Sequence, residues 1–131
     1  MASEDFKEIL IKINIEKSDE AIIMAEVAIE KNALMTAYNR IYYSIFYTVT
    51  ALAEKNGYKT SKHNSMIGWF HKKYFHEEKL FEKEIYDTYK NAFQYREKGD
   101  YDTLYKLDKE EAKKLLSEAK IFIKTVRKLL D

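Results

Sequence analysis

Ala33-Leu34-Met35-Thr36-Ala37-Tyr38-Asn39-Arg40-Ile41-Tyr42-Tyr43-Ser44-Ile45-Phe46-Tyr47-Thr48-Val49-Thr50-Ala51-Leu52-Ala53-Glu54-Lys55-Asn56, followed by Gly57, is the stretch that decides the fold. Ala37, Ile41, Ile45, Val49 and Leu52 recur every three or four residues, the period of one helix face. Tyr38, Tyr42, Tyr43, Phe46 and Tyr47 surround that stripe, so most of the circumference is aliphatic or aromatic. A helix apolar on nearly every side must be covered on nearly every side, by neighbouring helices or by a second subunit. Gly57 supplies the left-handed residue that ends such a helix. The spacing therefore predicts a central helix over 33–56. Arg40 lies inside it, and a guanidinium buried there needs a partner.

The flanking sequence reads the same way. A helix over about 5–31 carries Phe6, Ile9, Leu10 and Ile13, then Ala21, Met24, Ala25, Ala28 and Ile29. The wholly polar run Glu16-Lys17-Ser18-Asp19-Glu20 leaves room for a break there, with Ser18 as a fresh N-cap. Ser61 is placed to cap a short helix ending near Lys73, with Met66, Ile67, Trp69 and Phe70 as its apolar residues. Leu80, Phe81, Ile85, Tyr89 and Ala92 mark the inward face of a helix over about 77–98, with Gly99 as its natural stop. Asp108, with Glu111 three residues on, opens the last helix as an aspartate form of the capping box. Ala112, Leu115, Leu116, Ala119, Phe122, Ile123, Val126 and Leu130 then form one continuous apolar face. Short connections favour antiparallel neighbours. The expected fold is all-α: an antiparallel up-and-down bundle of four main helices plus one short helix, in a single domain over 1–131.

Composition supports this and removes other classes. The chain has no proline and three glycines, too few turn residues for a β-sandwich. No run reaches the roughly 18 apolar residues of a membrane span. The acidic start, Met1-Ala2-Ser3-Glu4-Asp5, is unlike the basic start of a signal peptide, and there is no cysteine, so a cytoplasmic home is expected. A net charge of +1 gives no overall nucleic-acid footprint. Lys62-His63 and His71-Lys72-Lys73 are local basic groups that also suit a solvated face.

Three kinds of residue could carry chemistry. His63, His71 and His76 have no helical Glu-x-x-His partner, and His71 and His76 are five apart, so neither a metal nor another cofactor is expected. Surface or capping roles suit these histidines. Eleven tyrosines offer apolar bodies with polar tips, which fits core packing, a dimer face or a base-stacking surface. The third is Gln94-Tyr95-Arg96-Glu97-Lys98-Gly99-Asp100-Tyr101-Asp102, read as an arginine at a helix exit beside acid and phenol groups. Arginine's planar donor fork suits phosphate or carboxylate. A plain basic residue near a helix C-terminus, paired with Asp100 or Asp102 on the surface, is the simpler reading.

Taken together, Ala37-Tyr38-Asn39-Arg40-Ile41-Tyr42-Tyr43-Ser44-Ile45-Phe46, Ala51-Leu52-Ala53, Gly57, Lys62-His63, Tyr95-Arg96 and Gly99-Asp100-Tyr101 resemble the HEPN superfamily, the higher eukaryotes and prokaryotes nucleotide-binding domain. The likeness runs from about Ser18 to Leu130 and is to the small stand-alone prokaryotic members. It implies a helical bundle, commonly a homodimer, often partnered with a minimal nucleotidyltransferase-fold protein in a toxin–antitoxin pair. In many members an arginine, four to six residues and a histidine form a metal-independent RNA-cleaving site. Here Arg40, Arg96 and Arg127 are the only arginines, and none is followed by histidine at that spacing; Tyr101 stands at that distance from Arg96.

The resemblance leads to a nucleotide- or RNA-binding interaction module. Arg96 grips phosphate, Asp100 holds Arg96, and Tyr101 stacks or hydrogen-bonds. Arg40, Tyr43, Lys62 and His63 form the wall of the same cleft. Tyr101, or less directly Tyr105, is the counterpart of a tyrosine that the partner modifies with AMP in paired members. One alternative is an endoribonuclease toxin using Arg96 with Tyr101 or His63. Another is a structural adaptor whose aromatic helix only forms a dimer.

Overall fold

The computed structural model describes residues 2–101 and 106–131, and the side chains of 4–99 and 106–131. Five α-helices follow one another: α1 (Ala2–Glu30), α2 (Leu34–Lys55), α3 (His63–Phe70), α4 (Lys83–Tyr101) and α5 (Lys109–Arg127). A π-helical segment, His71–Glu77, continues α3, and a 3-10 turn, Lys128–Leu130, closes α5. The described residues contain no strand.

Named contacts fix the directions. Tyr38 donates its hydroxyl to the Asp108 carbonyl at 2.9 Å, and Lys55 Nζ reaches the Leu129 carbonyl at 2.7 Å, so α2 and α5 run the same way. Arg127 pairs with Asp19 at 2.8 Å and Lys120 with Glu26 at 3.4 Å, so α1 opposes α5. Tyr38 stacks on Tyr95, and Tyr42 lies against Tyr89, so α4 opposes α2. This is the expected up-and-down arrangement.

The central helix behaves as its periodicity requires. Ala37, Ile41, Ile45, Val49 and Leu52 are all buried, with Tyr38 and Tyr42 beside them. Gly57 ends α2 with φ +73°, and the Tyr58 and Gly57 amides bond back to the Ala53 and Glu54 carbonyls. Asp108 caps α5 by accepting from the Glu110 amide at 3.0 Å. The α5 face from Ala112 to Val126 joins the same buried cluster. Its centre is Phe70, whose ring meets those of Tyr74, Tyr86, Tyr89 and Phe122.

Four expectations are corrected. First, α1 does not break at Ser18. Ser18 is fully buried, donating to the Ser44 carbonyl at 2.7 Å and sharing a 2.9 Å bond with Thr48 Oγ1. With Ala21, Ala25 and Ala28 it makes a small-residue face that lets α1 approach α2 closely, so the polar run is an interhelical clasp. Phe6, Ile9, Ile13 and Met24 are exposed, off that face. Second, Ser61 does not cap α3; Lys62 holds the N-cap position without a side-chain bond, and its amide is taken by Thr60 Oγ1. The helical path then runs past Lys73 as a π turn, with the Glu78 amide bonding the Lys73 carbonyl.

Third, α4 begins at Lys83, and Leu80 lies exposed in the loop before it. Its far end is also different, because Gly99 does not stop the helix. No left-handed φ occurs there, and the helix continues to Tyr101. Fourth, His71 is not a surface or capping residue. It is half-buried between the Tyr86 and Tyr89 rings, and burial lowers its pKa.

Candidate functional site

Tyr43 projects from the half-covered side of α2 and becomes the meeting point of three elements. The Arg40 guanidinium, one turn earlier on α2, lies 5.1 Å from its ring centre. The Arg96 guanidinium, from α4, lies 5.4 Å from the same ring and 5.4 Å from that of Tyr42. His63, the first residue of α3, meets the Tyr43 ring edge-on at 5.8 Å and stacks on Phe46 at 4.5 Å. Cations over aromatic faces are attracted by the ring quadrupole, more strongly where water is partly excluded. Arg96 is such a case, its side chain being 14% exposed.

Hydrogen bonds hold these groups in place. Tyr42 OH and His63 Nδ1 are 2.5 Å apart. Arg40 donates Nε and a terminal NH₂ to Asn39 Oδ1, at 3.1 and 2.8 Å. Arg96 lies 3.7 Å from the Glu97 carboxylate. Burial lowers the His63 pKa from its ordinary value, and the Arg96 charge lowers it further, while Glu97 opposes them. Burial raises the Tyr42 pKa well beyond the usual phenol range, so Tyr42 stays a neutral hydroxyl.

The tautomer of His63 sets what its free edge can do. With Tyr42 donating to Nδ1, Nε2 carries the proton and can donate to an anionic oxygen. With Nδ1–H donating to Tyr42, Nε2 is a base. With Nε2 protonated, a guanidinium, an imidazole and a second guanidinium around one ring suit a phosphate group. Among the described residues no group of three histidines or carboxylates is placed to hold a metal ion.

The sequence candidates are only partly brought together. Arg40, Tyr43, His63 and Arg96 share the Tyr43 ring, although α2, α3 and α4 supply them. Lys62 is exposed at the start of α3. The side chains of Asp100 and Tyr101 lie outside the described residues, as do Asp102 and Tyr105 entirely. Because α4 continues through Gly99, positions 96 and 101 are about 140° apart around its axis at 3.6 residues per turn. Sequence reasoning passed over Tyr42 as a positioning group and Phe46 as the ring under His63. Their signal was spacing: both border Tyr43 on the aromatic side of α2.

Two grooves lie near α1. One of about 270 Å³ is lined by Lys17, Glu20, Ala21, Met24, Arg40 and Tyr47, next to the Tyr43 cluster. A larger one of about 540 Å³ lies between α1 and α5, away from that cluster, with Ile22, Ile23 and Ile123 in its wall.

The comparisons agree with this architecture. The family model for the HEPN domain matches residues 11–129, so the chain belongs to the HEPN domain family. It is 30% identical over 125 residues to "UPF0332 protein" of Thermotoga maritima, covering 95% of this chain and 94% of that one. It is 32% identical to "Putative toxin MJ0142" of Methanocaldococcus jannaschii over 88% of this chain and 78% of the relative. "Putative toxin MJ0605" of the same organism is 30% identical, over 92% and 88%.

Proposed function

We propose that this HEPN protein is a nucleotide- or RNA-binding module that takes phosphate at the Tyr43 cluster. It works as a homodimer beside a minimal nucleotidyltransferase, as one half of a toxin–antitoxin-like pair. The observation that carries the reading is the gathering of Arg40, Arg96 and His63 around one ring. Two guanidiniums and an imidazole N–H are donors of the kind that an anionic oxygen takes. Arg96 is the main phosphate group, Arg40 the second, and His63 a donor through Nε2. Asp100 holds Arg96, Lys62 adds charge at the rim, and Tyr101 is the modification candidate. Family membership and the toxin names of two relatives support the pairing.

The test is titration of purified protein with AMP, UMP and a labelled hexauridylate. Binding should weaken about tenfold or more in Arg96→Lys, which keeps the charge but loses the two-pronged contact. Wild-type protein that binds none of these ligands, and does not co-purify with a co-expressed neighbouring nucleotidyltransferase, would refute the reading.

A second reading is favoured by one observation: His63 reaches the Arg96 region from another helix, so the missing histidine of the linear motif has a spatial counterpart. In that reading Nε2 of neutral His63 takes the proton from a ribose 2′-hydroxyl, and Arg96 stabilises charge on the phosphate. RNA cleavage in the presence of EDTA, lost in His63→Gln and Arg96→Lys, supports it. Cleavage unchanged in both variants rules it out.

A further inference from the structure

The 270 Å³ groove beside the cluster has a composition that the phosphate site alone does not explain. Tyr47 lies one turn beyond Tyr43 on α2, with ring centres 5.6 Å apart. Lys17 of α1 sits over the Tyr47 ring at 5.6 Å, repeating one turn on what Arg40 does over Tyr43. Arg40 belongs both to the cluster and to the groove wall. Met24 provides an exposed, adaptable apolar surface, and Glu20 a carboxylate. Cations and rings therefore alternate along one edge of α2 from the Arg96 side toward α1.

We propose that this groove is a second nucleotide subsite, so that the ligand of the module is a single-stranded RNA rather than a mononucleotide. The inference rests on the phosphate-binding reading of the Tyr43 cluster. The strand lies across the α1–α2 edge. One phosphate sits between Arg96 and Arg40, and the next nucleotide enters the groove. Its base stacks on Tyr47 against Met24, its following phosphate meets Lys17, and its ribose hydroxyls donate to Glu20. Stacking tolerates any base, because every base has a π-face. The carboxylate is the part that distinguishes ribose, since a phosphate placed against Glu20 is repelled while a hydroxyl donates to it.

The experiment compares labelled hexauridylate, its deoxy counterpart and UMP on the full chain. Wild type, Tyr47→Ala, Lys17→Ala and Glu20→Gln are measured, with far-UV circular dichroism to show that each is folded. Lys17 and Glu20 are exposed and Tyr47 is only half-buried, so these changes leave the core intact. Wild type should bind the hexamer more tightly than UMP. Tyr47→Ala and Lys17→Ala should lose about tenfold on the hexamer and nothing on UMP. Glu20→Gln should narrow the RNA-over-DNA preference. Hexamer binding that depends on Arg96 but is unchanged in Tyr47→Ala and Lys17→Ala overturns the subsite and leaves the cluster standing. Failure of wild type to bind either RNA or UMP overturns both.

Discussion

The Tyr42 hydroxyl and the His63 imidazole are 2.5 Å apart at Nδ1, tying the middle of α2 to the first residue of α3. Neither residue is explained by packing alone. Tyr42 is fully buried, yet its oxygen reaches the half-covered edge where Arg96 lies. His63 would otherwise be a helix-start residue free to rotate. The bond fixes the ring over Phe46 and presents Nε2 on the side away from Tyr42.

Tyr42→Phe should therefore act on stability and on the site together. Loss of one hydrogen bond at a partly buried site costs about 1 kcal/mol. An unfolding free energy from urea titration lowered by that amount, with a changed His63 side-chain nitrogen spectrum, is the expected result. An unchanged imidazole spectrum would show that Phe46, not Tyr42, sets the ring.

Acid should destabilise the fold before its carboxylates titrate. His63 and His71 both have pKa values below 6.5, with burial as the leading cause. Below about 6.5 the unfolded chain takes up protons that the folded chain refuses, so stability rises with pH in that window. The contribution is fully present above 6.5 and is lost as pH falls toward the folded values. Denaturation midpoints at pH 8 and 7 should agree, and those at pH 6 and 5 should fall. His71→Gln should flatten part of that decline. A midpoint flat from pH 8 to 5 would contradict the burial of both rings.

The glycines should part company. Gly57 holds φ +73°, a conformation that costs an L-residue about 1 kcal/mol, so Gly57→Ala destabilises. Gly99 is helical, and a Cβ there meets only Leu107 Cδ2 at an ordinary 3.7 Å. Gly99→Ala should be neutral or stabilising by up to about 1 kcal/mol. Thermal unfolding of the two variants distinguishes a helix that continues from one that stops at 99.

That contrast also shows where the sequence was legible. The stripes of α2 and α5 and the Asp108 cap follow from local periodicity and capping chemistry, and they stand as read. Gly57 and Gly99 look alike in sequence, each following a helical pattern with a polar residue before it. Only the packed chain distinguishes a left-handed stop from a glycine inside a helix. Ser18 misled for the same reason, since its bonds go to Ser44 and Thr48, twenty-six and thirty residues away. At the site, Arg40 and Tyr43 share a helix face and could be paired on paper. Arg96 and His63 meet only because α3 and α4 fold back onto α2, which no local spacing encodes.

The Ser18 clasp has one more consequence, which concerns how the first helix opens. At 1.5 Å per residue the 29-residue α1 is about 43 Å long, against about 33 Å for the 22-residue α2. From Ser18 onward its small residues are locked to α2, whereas Phe6, Ile9 and Ile13 before it face water. Amide protons of residues 4–14 should therefore exchange through local fraying, and those of 18–30 only when α2 itself comes loose. A single unbroken helix would then exchange at two rates, with the boundary at the serine.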